Sequence, residues 1–354
     1  MSLGGSPLVS SPASPAYRCF VGVDIAATSF SALWRTEGQP ASRATTFAQT
    51  PTGFAAFQQQ LQATRVAPAQ TLIVLEATGS YWITLAVTLH QAGYAVAVVN
   101  PAQLHNYAHA LPRRGKTDAL DAEVCLRFAA ERQPPPWTPP PAVYHELHQR
   151  LVTRDGLLTM RQQARNQRHA LEQWPVRVPS VLRQLDGVIA ECDQHIATLE
   201  REIAEVLADG AWATSAALLR TIPGIGLITA AWLLVETLNF QLCPRPEQAT
   251  AYAGLTPLPR ESGTSVRRRA QLGHGGNRRL RTALYLATLA ATQYNPVIQP
   301  FYARLRAAGK PMKVARCAAA RKLLHVAWAV VTKGQPFTAP APHQSAEGSL
   351  ALAA

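Results

Sequence analysis

Acidic residues are scarce in this chain: 21 Asp and Glu stand against 34 Lys and Arg in 354 residues, a formal charge of +13. Such an excess points to a polyanionic partner, because neutralising phosphates and releasing their counterions is its usual use. A membrane surface is the competing polyanion. Long apolar runs are missing too: the longest, such as ITAAWLLVETL, fall short of the ~20 residues that span a bilayer, so no membrane partner is expected and the chain reads as soluble. The five cysteines, Cys19, Cys125, Cys192, Cys243 and Cys317, lie far apart without C-x-x-C spacing. That excludes a zinc cluster or a disulfide framework and fits a reducing cytoplasm. The opening stretch MSLGGSPLVSSPASPAY lacks a charged n-region and a sustained apolar core, so residues 1–16 are expected to form a disordered tail and not a signal peptide.

What is there is apolar and rich in alanine, 47% hydrophobic overall, which favours helices and is ample for two domains. From Tyr17 the pattern alternates. CFVGVDIA reads as a buried strand ending near Asp24, FSALWRT and SRATTFAQT as two further strands, and PTGFAAFQQQLQAT as a helix with Pro51 at its start. TLIVLEATGS is a strand ending near Glu76, YWITLAVTLHQAG a helix closed by Gly93, and YAVAVVNP a strand stopped by Asn100 and Pro101. A helix carrying Asp118 and Asp121 follows. This order predicts a ribonuclease-H-like α/β domain over 17–133.

PPPWTPPP, within a linker at 134–141, cannot continue a helix and acts as a stiff spacer. Over 142–210 helices are expected: Leu182, Leu185, Ile189, Cys192, Ile196, Leu199, Ile203 and Val206 form an unbroken heptad seam. The seam could pack on a partner helix around 144–172, with Trp174 and Pro175 in the turn, or on a second chain. Residues 211–334 read as a helical, strongly basic domain, with 17 Lys and Arg from Arg220 to Lys333 against Glu236, Glu247 and Glu261. A disordered tail is expected over 335–354.

Four carboxylates are the candidate metal site. Taken singly, Asp118 and Asp121 would serve as helix N-terminal acids, and Asp24 and Glu76 as strand ends facing solvent. Taken together, a ribonuclease-H-like sheet brings Asp24 and Glu76 to one edge, and the i,i+3 pair adds two more anions on one helix face. Such a cluster needs cations, and two Mg²⁺ would satisfy it and polarise a phosphodiester. Arg113, Arg114 and Lys116 beside it would attract phosphates. An actin-like ATPase is excluded because DIAATSF carries no phosphate-loop glycine.

Downstream, Gly224 and Gly226 join two apolar helices in LLRTIPGIGLITAAWLLVE, either as a DNA-gripping helix-hairpin-helix element or as a tight interhelix turn. Ser262 and Ser265 precede two arginine clusters, Arg267, Arg268 and Arg269, then Arg278, Arg279 and Arg281, suited to phosphate. By composition alone such a serine is a turn residue as readily as a nucleophile.

GVDIA, LEATGSYW, VNPAQLHNYAHALPRRGKTDALDA, TIPGIGLITAA, AYAGLTPLPRESGTS and GNRRLRTALY, in that order, resemble the signature stretches of Piv/MooV-type DEDD transposases of the insertion-sequence 110 family. The likeness runs from about Tyr17 to Lys333. It implies a RuvC-like domain whose tetrad maps onto Asp24, Glu76, Asp118 and Asp121, a coiled coil, and a C-terminal transposase domain with Ser262 as nucleophile, Ser265 being the other candidate. It further implies a homo-oligomer, dimers assembling to a tetramer in which the RuvC-like site of one protomer meets the serine of another. The partners it implies are donor and target DNA and a structured noncoding bridge RNA, in a bacterial cytoplasm and associated with the nucleoid. LGHGGN departs from the Ser-Lys-Arg-Gly-type turn of relatives and puts His274 and glycine where phosphate would be held. The expectation is a recombinase that excises and integrates its own insertion sequence. The alternatives are a RuvC-like nuclease or junction resolvase using water, and an architectural nucleic-acid-binding protein without catalysis.

Overall fold

The structure, a computed structural model, describes residues 17–111, 118–262, 266–273 and 275–339; for residues 118, 119, 258–262 and 266–270 it describes the backbone alone. Arg113, Arg114, Lys116, Ser265 and His274 lie outside the described residues. The chain divides into two compact units that meet at Pro139 and Pro140.

The first unit is a mixed five-stranded sheet with helices. Its strands are β1 (Cys19–Ile25), β2 (Ser29–Thr36), β3 (Thr45–Ala48), β4 (Thr71–Glu76) and β5 (Ala95–Val99), and its helices are α1 (Pro51–Gln62), α2 (Trp82–Gln91), α3 (Pro101–His109) and α4 (Asp118–Arg132). The sheet order is β3-β2-β1-β4-β5, antiparallel among the first three strands and parallel from β1 to β4 to β5. This arrangement is consistent with the ribonuclease-H-like expectation.

Alternation along the strands decides which residues meet which helices. Cys19, Val21 and Val23 of β1 join Ile73 and Leu75 of β4 in one buried cluster with Phe30, Phe47, Phe54 and Phe57. The rings of Phe30 and Phe57 meet edge to face at 5.4 Å. Each such side chain contributes roughly 1.5–3 kcal/mol by leaving water. The opposite face carries Leu72 and Val74 of β4 against Val124, Cys125 and Ala129 of α4. Asp24 and Glu76, being in phase with Gly22 and with Val74, belong to that second face.

Helix α3 was not expected. Asn100 and Pro101, read as the end of a strand, begin a helix: Asn100 Oδ1 accepts from the Ala102 N–H at 2.8 Å, and Pro101 occupies the first turn.

The second unit holds the remaining helices. Helices α5 (Ala142–Glu172) and α6 (Pro179–Ala208) pack on each other as a long hairpin, with the turn around Trp174 and Pro175. The heptad seam of α6 thus has a partner within the chain, and Cys192, Ile196 and Ile203 are buried along it. Ion pairs flank the seam, Arg150 with Glu202 at 3.0 Å and Arg154 with Glu200 at 2.6 Å.

Beyond the hairpin come α7 (Ala213–Arg220), α8 (Leu227–Thr237), α9 (Pro246–Tyr252), strands β6 (Pro257–Ser262) and β7 (Val266–Leu272), then α10 (Arg278–Tyr294), α11 (Ile298–Ala307) and α12 (Met312–Lys333). Their core includes Leu233, Leu234, Leu280, Leu284, Leu323 and Leu324. The antiparallel ribbon β6–β7 corrects the expectation of an all-helical basic domain with a short polar loop at the serine. A two-stranded ribbon interrupted by prolines gives little periodic signal, so the sequence pattern passed over it. Among the described residues no helix is long and apolar enough to cross a membrane.

Candidate functional site

Three of the four expected carboxylates lie toward one end of the β1–β4 pair, near enough to Cys125 for each to act on its thiol. Val23 pairs with Leu75 at the end of the parallel β1–β4 ladder, so Asp24 and Glu76, one residue further on, lie side by side there, each still paired with its outer neighbour, Ser31 and Val99. Thr78 Oγ1 donates a hydrogen bond to Glu76 Oε1, fixing that carboxylate. Helix α4 supplies Asp121 by lying close against β1, and the approach depends on Gly22. A Cβ there would stand 2.1 Å from the Ala122 carbonyl oxygen and 2.2 Å from the Leu126 nitrogen, so only glycine lets the helix backbone rest on the strand.

Cys125, one helical turn after Asp121, reports the field of this cluster. Burial pushes its thiol up, and the charges of Asp24, Glu76 and Asp121 push it further, while a hydrogen bond with the Val23 backbone works the other way. Burial and these charges hold the Cys125 thiol protonated. Asp118, three residues before Asp121, begins α4, and its side chain lies outside the description.

A cavity of about 650 Å³ opens at this edge, lined by Glu76, Asp121 and Cys125 and by Pro101, His105 and His109 of α3. The two imidazoles stack at 4.4 Å between centroids. Sequence reasoning missed this pair. The available signal was the i,i+4 spacing of two histidines on a helix opened by Asn100 and Pro101.

The donor chemistry suits a hard cation, since Asp24, Glu76 and Asp121 offer oxygen alone. Among the described residues, no group of three or more His, Cys, Asp or Glu stands close enough to hold a metal by itself.

In the second unit, Ser262 ends β6 and pairs with Val266, which puts the serine at the tip of the ribbon. Arg267 and Arg268 pair with Glu261 and Arg260, and Arg269 follows on β7; the side chains of all three arginines lie outside the description. The glycine turn separates into two roles. Gly224, with φ of +101°, packs on α10, where an added Cβ would sit 2.6 Å from the Ala291 Cβ. Gly226, at the N-terminus of α8, meets nothing within 4 Å and leaves that helix end open to an anion.

The second arginine cluster is partly committed within the fold. Arg281 Nη1 donates to the carbonyls of Gly275 at 2.9 Å and Ala253 at 3.3 Å. Arg279 lies 5.2 Å over the Trp232 ring and 3.3 Å from His148 Nε2, and Arg278 is exposed at the start of α10. Asn277 caps that helix, accepting from the Leu280 N–H at 3.0 Å. The unusual LGHGGN turn has a packing reason: a Cβ on Gly276 would stand 2.5 Å from the Gly254 nitrogen, so two backbones meet there without side chains.

Comparison with known proteins agrees with both units. A transposase model of the DEDD IS110 type matches residues 21–173, and one described as the transposase IS116/IS110/IS902 family matches residues 216–303. The chain is similar to the pilin gene-inverting proteins of Moraxella lacunata and Moraxella bovis, each 30% identical over 322 residues, covering 90% of this chain and 98% of the relative. It is also similar to the transposase for insertion sequence element IS1328 of Yersinia enterocolitica, 26% identical over 280 residues, 71% of this chain and 80% of that protein.

Proposed function

The chain belongs to the IS110 family of transposases, and from that premise we propose that it cuts and exchanges DNA strands through Ser262 with the help of a divalent metal. The observation that supports this reading most is the convergence of Asp24, Glu76 and Asp121 around Cys125, made possible by Gly22. Asp24, Glu76, Asp118 and Asp121 would hold the cation, Mg²⁺ by the hardness of an all-oxygen donor set, with two ions per site as the working count. A cation bound there supplies Lewis acidity toward the phosphodiester.

The chain's own residues would do the rest. Ser262 Oγ attacks phosphorus, an Oγ–P bond forms, the ester bond to one deoxyribose oxygen breaks, and that oxygen leaves as a hydroxyl, taking up a proton as the serine loses its own. Attack by the hydroxyl of another strand on the phosphoserine reverses these steps and frees the serine. Arg113, Arg114, Lys116, Arg267, Arg268, Arg269, Arg278 and Arg279, with the open α8 end at Gly226, would grip the phosphate backbone; Arg281 would hold the turn from which α10 starts. A bridge RNA would supply sequence choice by pairing with donor and target, which leaves the protein reading backbone and shape. Dimers assembling to a tetramer would bring several copies of each chemistry to one synapse.

The test is a covalent protein–DNA adduct formed with Mg²⁺, element-derived RNA and matching DNA, trapped by denaturation. An adduct lost in Ser262→Ala and in Asp121→Asn supports the serine recombinase. Cleavage without an adduct would make water the nucleophile and the protein a RuvC-like nuclease, and an adduct that forms equally without RNA would remove the guide.

A further inference from the structure

The second unit carries a cavity that the proposed chemistry does not use. It has a volume of about 720 Å³ and lies between the foot of the β6–β7 ribbon, at Pro257 and Leu272, and one face of α12. Val314, Cys317, Arg321 and His325 recur there at helical spacing, so a single stripe of α12 forms the wall. We propose that this cavity holds one unpaired nucleotide of the nucleic acid bound by the protein, its base in the apolar interior and its phosphate on the basic rim.

Three observations carry the proposal. Volume comes first, because sites for small organic ligands occupy about 300–1,000 Å³ and are apolar with a few placed polar groups. Charge is the second: Lys313, Arg321 and Lys322 line the cavity, and no Asp or Glu is among its described lining residues. Lys322 Nζ is held 4.7 Å over the Phe301 ring, which fixes one cation at the rim rather than leaving it to wander. The third is a polar group left over. His325 Nε2 is buried without a hydrogen-bond partner among the described residues, and His325 lines the cavity next to Arg321 and Lys322. Burial and then the Arg321 charge push this imidazole below its usual range, with the Glu247 carboxylate opposing, which favours the neutral ring that can either donate to or accept from a base edge. An unsatisfied buried nitrogen is costly, and a turn of the imidazole toward the cavity would let a base edge satisfy it.

Position adds a reason for the site. Pro257 and Ser262 are the two ends of β6, so the cavity lies at the foot of the strand whose tip carries the serine, roughly 17 Å away along it at ~3.3 Å per residue. A nucleotide pulled from its stack here would anchor a strand near the point of exchange. The proposal rests on nucleic acid being the partner, and not on serine catalysis.

Cys317 makes the test direct. It lines the cavity and is the one cysteine of the five that is not buried. The full chain would be labelled with N-ethylmaleimide and Cys317 followed by peptide mass spectrometry, alone and with single-stranded DNA, a looped RNA hairpin, blunt duplex DNA, a base-free phosphodiester strand or inorganic phosphate. With an unpaired strand at ten times its Kd, labelling is expected to slow about tenfold, since only the empty fraction reacts. Either the DNA or the RNA arm giving this result supports the site and identifies its source. Val314→Trp, which fills an exposed position at the mouth, should weaken binding of that strand and leave duplex binding unchanged. Equal protection by duplex, by the base-free strand or by phosphate alone would overturn the proposal, as would no protection by any arm. Ser262→Ala must keep the protection, so a failed recombinase reading and a failed nucleotide site give different results.

Discussion

The two candidate reaction centres are assembled in opposite ways. At the sheet edge, residues 24, 76 and 121 lie far apart in sequence and meet through topology: a parallel β1–β4 ladder and a helix resting on Gly22. At the ribbon, Ser262 and its arginines are neighbours in sequence, and one antiparallel pair of strands carries them. The first centre is therefore sensitive to packing far from the chemistry. The second should tolerate distant changes but depend on the nucleic acid that completes it.

The largest expected effects test whether both centres serve one reaction. Ser262→Ala and Asp121→Asn should each reduce strand exchange by about 10³-fold or more, as removal of a nucleophile or of a metal-holding carboxylate does when residues act as a unit. The double variant should lose little beyond either single one. DNA affinity, measured by anisotropy, should stay within about threefold, because neither change removes an arginine or lysine from the phosphate-gripping set. Losses that multiply in the double variant would mean that the centres act independently.

Three glycines sharpen the contrast next. Gly22→Ala pushes a methyl into the α4 backbone, so a stability loss of about 3 kcal/mol is expected, accompanied by loss of exchange as Asp121 is displaced. Gly224→Ala combines a left-handed φ with contact against Ala291 and should cost a similar amount. Gly226→Ala meets nothing and should change stability by no more than about 0.5 kcal/mol. Its effect should be on DNA affinity alone. Urea unfolding of the three variants checks the order, and an equal loss in Gly226→Ala would show that the α8 end is packed rather than open.

This contrast also explains what the sequence made legible. Strands β1, β2, β4 and β5 were readable because each is a short, largely apolar run bounded by turn residues, and the places of Asp24 and Glu76 near strand ends were readable from the same signals. Gly22 was not, since a glycine within a strand does not say which helix will lie on it. His105 and His109 were missed because Asn100 and Pro101 were taken to stop a strand when they also start a helix. The ribbon was missed because its two strands pair only with each other and Pro257 and Pro259 interrupt the strand pattern. Charge in the basic region was readable as a total. Which arginines are spent internally, as Arg281 is, depends on contacts that composition does not carry.

A smaller effect separates the two ends of β1. Cys19 starts the strand that Asp24 nearly ends, and burial raises its thiol to about 11, with a Thr71 hydrogen bond opposing. The unfolded thiol titrates near pH 8.5–9, so above that pH the unfolded chain loses a proton that the folded chain keeps. Stability should be independent of this group below about pH 8 and should fall as pH rises toward 11. Cys19→Ala should flatten the decline by roughly 2 kcal/mol over that window. Thermal unfolding between pH 8 and 10.5 checks it, and identical slopes would show that the thiol is not held protonated.

The smallest effect should come from the hairpin, which carries neither centre. Arg154 meets Glu200 at 2.6 Å, with 15% of the arginine side chain and 39% of the glutamate side chain exposed. Partial exposure screens the pair, so a double-mutant cycle with Arg154→Ala and Glu200→Ala should give a coupling of about 0.5–1 kcal/mol that shrinks in high salt. Because the buried seam of Cys192, Ile196 and Ile203 remains, the helices should stay paired and adduct formation per bound complex should not change. If adduct formation falls while stability moves this little, the hairpin transmits something to the reaction. The division between a packed edge and a local ribbon would then have to include the rod as a third working part.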